Sequence, residues 1–175
     1  HPSPAEMWPL PDKDGKPHVL ADYRGKPVVV LFYLGFGCLH CVEQLQAFAA
    51  KLEEFEKQGL AVIAISTENQ SSLALAIKNY NSRQSFAFPL VADPELQVFK
   101  AYRAFDDFEN QPLHGTFLID GSGLIRWQDV GFEPFMKPEF VLEEARRMLG
   151  PAPSRAGVVA EKTVKTPVVR GSDSK

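Results

Sequence analysis

The only two cysteines of this 175-residue chain, Cys38 and Cys41, lie three residues apart between a predicted strand and a predicted helix. Residues 28–33 form a continuous β-branched and aromatic run, which is typical of a strand buried on both faces. After the cysteines, apolar residues recur at helical spacing up to Gly59, a residue suited to ending a helix. The amino end of a helix favours a thiolate, so the pair predicts a redox-active dithiol. No second cysteine pair exists to complete a zinc site with the first.

Length and composition limit the chain to one well-cored domain. The chain is 45% apolar and 23% charged, with a formal net charge of −3, which gives no reason to expect nucleic-acid binding. No apolar run approaches the roughly 18 residues of a membrane helix. We predict a redox domain over residues 1–150 and an extended tail or linker over 151–175, where composition shifts toward basic and small residues. The first residues lack signal-peptide features, and the compartment, cytoplasmic or exported, stays open.

Strands and helices alternate along the remaining chain, which predicts an α/β domain with a mixed sheet. The first long helix is expected over residues 39–58, and the helix that Asp93 and Pro94 open is expected over 95–102. The other predicted elements are strands at 60–65 and 88–92, a helix at 71–80, a hairpin at 116–130 and a closing helix at 138–149. The turn-rich first 26 residues predict an irregular entry with a short hairpin.

Several stretches resemble the alkyl hydroperoxide reductase/thiol-specific antioxidant group, the peroxiredoxins. They are the segment from Asp14 to Val30, Ala64-Ile-Ser-Thr-Glu, Phe88-Pro-Leu-Val-Ala-Asp-Pro and Thr116-Phe-Leu-Ile-Asp-Gly-Ser-Gly-Leu-Ile-Arg. The chain is thus identified as a peroxiredoxin-related member of the thioredoxin-like superfamily over about residues 8–149. This resemblance implies a thioredoxin-like fold, in which helices flank a central mixed sheet and a hairpin extends the N-terminus.

Peroxiredoxins are similar in using a Pro-x-x-x-Thr/Ser-x-x-Cys motif and a distant arginine. On this chain the peroxidatic position falls at Cys41, whereas the Pro, Thr and Arg positions are Leu34, Cys38 and His114. The missing groups normally orient the peroxide and stabilise developing charge. Peroxide reduction at Cys41 is therefore the alternative function that the resemblance implies.

Thioredoxin-like oxidoreductases resemble the chain through the Cys-x-x-Cys motif itself, which implies that Cys38 attacks and Cys41 resolves. Their tryptophan position before the motif is Gly37 here, and their cis-proline position again falls at His114. The main predicted function is reversible thiol–disulfide exchange without a cofactor. The predicted partners are a protein or small-molecule disulfide and a reducing or oxidising partner protein, with no nucleic acid and no membrane insertion.

Two histidines are predicted to tune the dithiol. His40 stands directly before Cys41, where a protonated ring would favour a Cys38 thiolate, unless it faces solvent. His114, placed beside the dithiol by the resemblance, is expected to exchange protons there. Tyr33, Phe36 and Gly37 are predicted to line the pocket, although Tyr33 also fits a core position. Glu68 is expected to be a solvated carboxylate, with a place at the rim of the site as the alternative.

Two further functions stay open as lesser alternatives. Cys38, Cys41 and His114 offer three ligands that suit copper or zinc. Copper-delivery proteins of this fold are similar in using two cysteines and a distant histidine, but their cysteine spacing is longer, so no metal is predicted. The chain could also be an interaction module of a larger protein.

Overall fold

The computed structural model describes residues 2–6, 8–80 and 86–151, so the predicted tail over 151–175 lies almost wholly outside the described residues. The strands are β1 (Ser3–Pro4), β2 (Pro9–Pro11), β3 (Pro17–Val19), β4 (Val28–Tyr33), β5 (Ala61–Ser66), β6 (Leu90–Ala92), β7 (Phe105–Asp106), β8 (Gln111–Pro112), β9 (His114–Ile119) and β10 (Leu124–Gly131). The α-helices are α1 (Leu39–Ala50), α2 (Leu52–Lys57), α3 (Gln70–Asn79), α4 (Gln97–Ala101) and α5 (Pro138–Leu149). A short 3₁₀ helix spans Leu20–Tyr23.

A six-stranded mixed sheet organises the molecule, in the order β1-β10-β9-β4-β5-β6. β4, β5 and β6 are parallel, whereas β9 runs antiparallel to both β4 and β10. The predicted N-terminal hairpin forms from β2 and β3. The α/β fold with a central mixed sheet, flanking helices and an N-terminal hairpin is therefore confirmed. None of the helices in the described ranges has the length and apolar character to cross a membrane.

Strand β4 is buried along its whole length because both of its faces are covered. Val29, Leu31 and Tyr33 point to the cluster that contains Cys41 and the apolar sides of α1, α2, α3 and α5. The alternate residues Val28, Val30 and Phe32 face a second cluster, which also contains Trp8, Leu10 and the buried side of helix α4. The period of two in a strand thus assigns each residue of this apolar run to one of two cores.

Three elements differ from their predicted form. The helix predicted over 39–58 is interrupted at Lys51, which lies between α1 and α2. Asp93 does cap a helix, since its carboxylate accepts hydrogen bonds from the backbone N–H groups of Gln97, Val98 and Phe99, but α4 begins only at Gln97. The stretch after α4, for which the sequence predicts no strand, contains the two-stranded β7–β8 pair.

The sheet register brings the start of β9 to the end of β4, where the cysteine loop begins. Phe32 of β4 pairs with Gly115 of β9, so His114 lies just beyond the last paired residue. A Cβ atom at Gly115 would lie 2.8 Å from the Phe117 ring and 3.3 Å from the Phe32 ring. Glycine at this position therefore lets the two strands pack closely beside the dithiol.

Candidate dithiol site

The two cysteines occupy different positions at the amino end of α1. Cys38 is the N-cap residue, with extended backbone angles, and its sulfur accepts a hydrogen bond from the Cys41 backbone N–H at 3.4 Å. Cys41 lies in the first turn and is fully buried, whereas Cys38 is partly exposed. Both cysteines are free thiols. Cys38 is therefore the sulfur that an external molecule can reach.

The imidazole ring of His114, at the start of β9, lies close to both sulfurs. Its Nε2 atom lies 3.0 Å from Cys41 Sγ and 4.0 Å from Cys38 Sγ. Its Nδ1 atom lies 2.9 Å from the carbonyl oxygen of Phe132. A carbonyl can only accept, so Nδ1 carries the proton and the Nε2 lone pair faces the sulfurs. Burial is the main reason why the pKa of His114 lies below its usual value, which favours this neutral ring.

Cys41 is held as a neutral thiol in the apolar interior. Burial, followed by the contact with Cys38, raises the pKa of Cys41 to about 12, although a hydrogen bond from the Leu34 backbone N–H at 3.4 Å acts in the opposite direction. A neutral thiol can donate to the His114 Nε2 lone pair. The arrangement therefore pairs an accessible sulfur with a buried one that already has a proton acceptor.

Glu68 supports the loop that leads from β4 to the cysteines. Its carboxylate accepts hydrogen bonds from the Ser66 hydroxyl at 2.8 Å and from the Phe36 backbone N–H at 3.4 Å. Its side chain also fills the space beside Gly35, whose φ of +110° is one that residues with a side chain rarely adopt. Glu68 thus lies at the rim of the site, which was the alternative, and is partly buried rather than the solvated carboxylate that the sequence favours.

The three residues predicted to line the pocket differ in burial and in their contacts. Tyr33 is fully buried in the same core as Cys41, and its hydroxyl has no hydrogen-bond partner. Phe36 packs edge-on against Tyr33 and Tyr80, at ring-centroid distances of 6.0 and 5.6 Å. Gly37 is exposed and borders open space. Contributions of Tyr33, Phe36 and Gly37 to a substrate pocket stay predictions.

His40 lies on the outer side of α1. Its side chain is 65% exposed, and its Nδ1 atom lies 3.3 Å from the carboxylate of Glu43. This orientation matches the alternative in which the ring faces solvent. The nearby Glu43 carboxylate and the surrounding water would weaken any electrostatic effect of His40 on Cys38. A tuning effect of His40 on Cys38 stays a prediction, whereas His114 contacts the sulfurs directly.

The sequence did not indicate that Gln44, on α1 after the cysteines, would be a buried part of the site. Gln44, one turn after Cys41, donates hydrogen bonds from Nε2 to the Thr116 hydroxyl at 3.3 Å and to the Phe135 carbonyl at 3.1 Å. It therefore ties α1 to β9 and to the loop after β10. That loop also supplies the Phe132 carbonyl, so it holds both the helix and His114. Its path depends on tertiary packing, which a single sequence does not reveal.

The same three residues form the one cluster within the described residues whose side chains could together hold a metal ion. The ligand atoms of Cys38, Cys41 and His114 all lie within 4.8 Å of one another.

Two solved peroxiredoxin structures share this fold. Peroxidoxin BcpB from Mycobacterium tuberculosis superposes with a TM-score of 0.73 at 20% identity, covering 84% of this chain and 96% of that one. Peroxiredoxin Q from Xanthomonas campestris superposes with a TM-score of 0.67 at 24% identity, covering 80% of this chain and 90% of that one. These identities establish the thioredoxin-like fold alone.

Sequence comparison assigns the family. The model of the AhpC/TSA family matches residues 3–128. A putative peroxiredoxin of Mycobacterium tuberculosis is 33% identical over 127 residues, which cover 69% of this chain and 78% of the relative. The thiol-disulfide oxidoreductase ResA of Geobacillus thermodenitrificans is 32% identical over 124 residues, 71% of this chain and 66% of the relative. The chain therefore belongs to the AhpC/TSA family, within the thioredoxin-like superfamily, and is a thiol-based oxidoreductase.

Proposed function

We propose that the protein catalyses thiol–disulfide exchange, with Cys38 as the attacking thiolate and Cys41 as the resolving thiol. One observation carries this proposal: a partly exposed N-cap sulfur lies beside a buried sulfur whose neighbour is a neutral imidazole. Exchange needs one sulfur that a substrate can reach and a second that stays protected until the first has reacted.

In the first step the Cys38 thiolate attacks one sulfur of a substrate disulfide. A bond forms between that sulfur and Cys38 Sγ, the substrate disulfide breaks, and the other substrate sulfur leaves as a thiolate. The Cys41 backbone N–H, which already points at Cys38 Sγ, supports the negative charge before the attack. Charge at the amino end of α1 acts in the same direction.

In the second step Cys41 resolves the mixed disulfide. The Cys41 thiol transfers its proton to His114 Nε2, 3.0 Å away, and the resulting thiolate attacks Cys38 Sγ. The intramolecular disulfide forms, and the bound substrate sulfur leaves as a thiolate that takes up the proton. The substrate has gained two electrons, and the protein dithiol has lost two. A reducing partner protein returns the dithiol by the reverse sequence.

Peroxide reduction is the second candidate, favoured by the family match and by relatives named peroxiredoxins. In this reaction a Cys41 thiolate attacks the peroxide, forms a sulfenic acid and releases an alcohol or water. Cys38 then condenses with the sulfenic acid, which closes the same disulfide and releases water. The buried position and the raised pKa of Cys41 count against this route, because the thiolate is the reactive form.

A side-by-side assay of the reduced protein separates the two candidates. Equal amounts are mixed in single turnover with hydrogen peroxide, an alkyl hydroperoxide or a fluorescent peptide disulfide, and free thiols are counted by intact mass against time. We expect the peptide disulfide to oxidise the dithiol fastest. Faster oxidation by either peroxide, with a sulfenic acid trapped at Cys41, would reverse the assignment.

A further inference from the structure

We propose that residues 162–170 of this chain bind as an additional strand along the outer edge of β10. This segment lies outside the described residues, and its sequence is Lys-Thr-Val-Lys-Thr-Pro-Val-Val-Arg. The proposal concerns a surface that the dithiol chemistry does not use, and it assigns that surface an occupant from the same chain. It therefore goes beyond disulfide exchange.

Most of the outer edge of β10 has no partner strand within the described part of the chain. On the inner edge, β9 pairs with β10 from Ile125 to Gly131. On the outer edge, β1 pairs with Leu124 and Ile125, which are two of the eight residues of β10. The remaining six, residues 126–131, thus have no strand on that side in the described ranges. Such an edge is a template for a further strand unless something covers it.

An apolar surface lies beside this open edge. Trp127 of β10 packs against Phe135 and Phe140, at ring-centroid distances of 5.1 and 5.7 Å. Phe140, on α5, is 39% exposed, and Trp127 and Phe135 are only partly buried. These three rings form an aromatic shelf. A strand added to β10 would place alternate side chains against the shelf, because successive side chains point to opposite faces of a sheet.

The pattern of residues 162–170 fits both the edge and the aromatic shelf. Val164, Thr166 and Val168 are spaced by two, so they share one face of a strand, and β-branched side chains favour strands. Pro167 lacks a backbone N–H, but it falls at an alternate position, whose backbone groups face solvent when those three residues pair with β10. One register therefore puts the β-branched side chains on the shelf and the proline on the outer side.

Charge favours this segment over a second copy of the chain. Four carboxylates that form no ion pair within the described residues belong to β10, the loop after it and α5: Asp129, Glu133, Glu139 and Glu143. The basic residues of the same stretch are Lys137 and Arg126, and Arg126 pairs with Asp120. Residues 162–170 contain three basic residues and no acidic one. A symmetric pairing of two copies would instead bring the same carboxylates together.

The chain between α5 and this segment is long enough to reach the edge. Gly150, at the end of α5, is ten residues beyond Phe140, which corresponds to about 15 Å along the helix. Residues 152–161 span about 33 Å when extended, roughly twice that distance. A connector of this length holds the segment at an effective concentration on the order of millimolar, so a weak contact is enough to keep the edge covered.

Amide hydrogen exchange of the full chain, followed by mass spectrometry, tests the proposal. We expect all amides of residues 126–131 to exchange slowly, because those that face outward are bonded to the added strand. The double variant Val164→Asp/Val168→Asp replaces the apolar contact with charges that the nearby carboxylates repel. Its outward-facing amides along residues 126–131 should exchange at least about tenfold faster. Peptides from β9 should exchange equally in both proteins, which shows that the variant is folded.

The double variant Val158→Asp/Val159→Asp is the matched control, because it places the same two charges in the connector. Its β10 edge should exchange as in the unaltered chain. Equal exchange along residues 126–131 in the unaltered chain and in Val164→Asp/Val168→Asp would overturn the proposal. Protection that increases with protein concentration between about 1 and 100 µM would also overturn it, since the edge would then be covered by a second copy. No thiol or disulfide substrate is used, so failure here and failure of the exchange assay are separate outcomes.

Discussion

The two faces of the central sheet differ in whether their buried polar atoms have hydrogen-bond partners. The face packed against α4 is an aromatic core, in which Phe32 lies 4.9 to 5.4 Å from the rings of Phe99, Tyr102 and Phe117. Its polar atoms have partners, since the Trp8 indole donates to the Tyr102 hydroxyl at 3.3 Å and that hydroxyl donates to the Glu6 carbonyl at 3.0 Å. This face resembles an ordinary protein interior, where buried polar groups are satisfied.

The face packed against α1 and α5 carries the chemistry. It buries Gln44, His114 and Thr116 beside Cys41. In the part of the chain that the structure describes, the only buried side-chain atoms without a hydrogen-bond partner are the Tyr33 hydroxyl and Gln44 Oε1, and both lie on this side. Unpaired buried polar atoms cost roughly 1–3 kcal/mol each. Both faces bury a large apolar cluster, but within the described residues the dithiol face alone also holds unpaired buried polar atoms, which lower its contribution to stability.

The largest effect on stability is expected from the aromatic face. Phe99→Ala removes a fully buried ring and should lower the free energy of unfolding by about 3–5 kcal/mol, with little change in exchange rate per folded molecule. Urea unfolding followed by circular dichroism measures it. Phe108→Ala is the control, because that ring is 92% exposed and its loss should cost less than about 0.5 kcal/mol. Loss of exchange activity in folded Phe99→Ala would contradict the claim that the aromatic face does not affect the dithiol chemistry.

His114→Ala should have the opposite effect, a large loss of exchange rate with little loss of stability. Removing the proton acceptor of Cys41 should slow closure of the disulfide about 100-fold, while the variant stays folded. Stopped-flow measurement of product-thiol release gives the rate. Added imidazole should restore part of that rate by occupying the vacated space. An unchanged rate, or no rescue in a folded variant, would assign His114 a purely structural role.

Glu68→Ala tests whether the loop before the cysteines needs its support. Loss of the contacts to Phe36 and Ser66 should lower the exchange rate about tenfold, because a small displacement of the reacting sulfur is costly. Glu68→Gln keeps an acceptor for the Phe36 N–H and should recover most of the rate. Equal rates in all three proteins would show that the loop holds its shape without Glu68.

The smallest effect is expected from His40→Ala. The ring is exposed and paired with Glu43, so its loss should slow alkylation of Cys38 by less than about threefold at pH 7. Iodoacetamide labelling followed by mass spectrometry measures the rate. A tenfold decrease would mean that this surface histidine, rather than the buried one, governs the reactivity of Cys38.

Regular elements with strong local patterns could be predicted from the sequence. The buried strand Val28–Tyr33 and the final helix Pro138–Leu149 form at the predicted residues. Local patterns fail where the backbone takes an unusual turn. Leu96 has a φ of +58°, which delays α4 to Gln97 even though Asp93 caps it, and no property of leucine indicates such a conformation.

The candidate site was predicted only as far as local sequence and family resemblance reach. The motif identified Cys38 and Cys41, and alignment to related proteins brought His114 to them. The contact between His114 and the Phe132 carbonyl, and the packing of Glu68 beside Gly35, join residues that are distant in sequence. Such contacts depend on how loops cross the end of the sheet, which neither periodicity nor spacing determines.

Trapping experiments on the two cysteine variants test the central claim, that Cys38 attacks and Cys41 resolves. Reduced Cys41→Ser and Cys38→Ser are each mixed with a peptide disulfide, and intact mass spectrometry records covalent adducts over time. The account predicts that Cys41→Ser accumulates a stable mixed disulfide through Cys38, whereas folded Cys38→Ser forms almost none, because Cys41 is buried and protonated. Rapid adduct formation in Cys38→Ser, with none in Cys41→Ser, would contradict it.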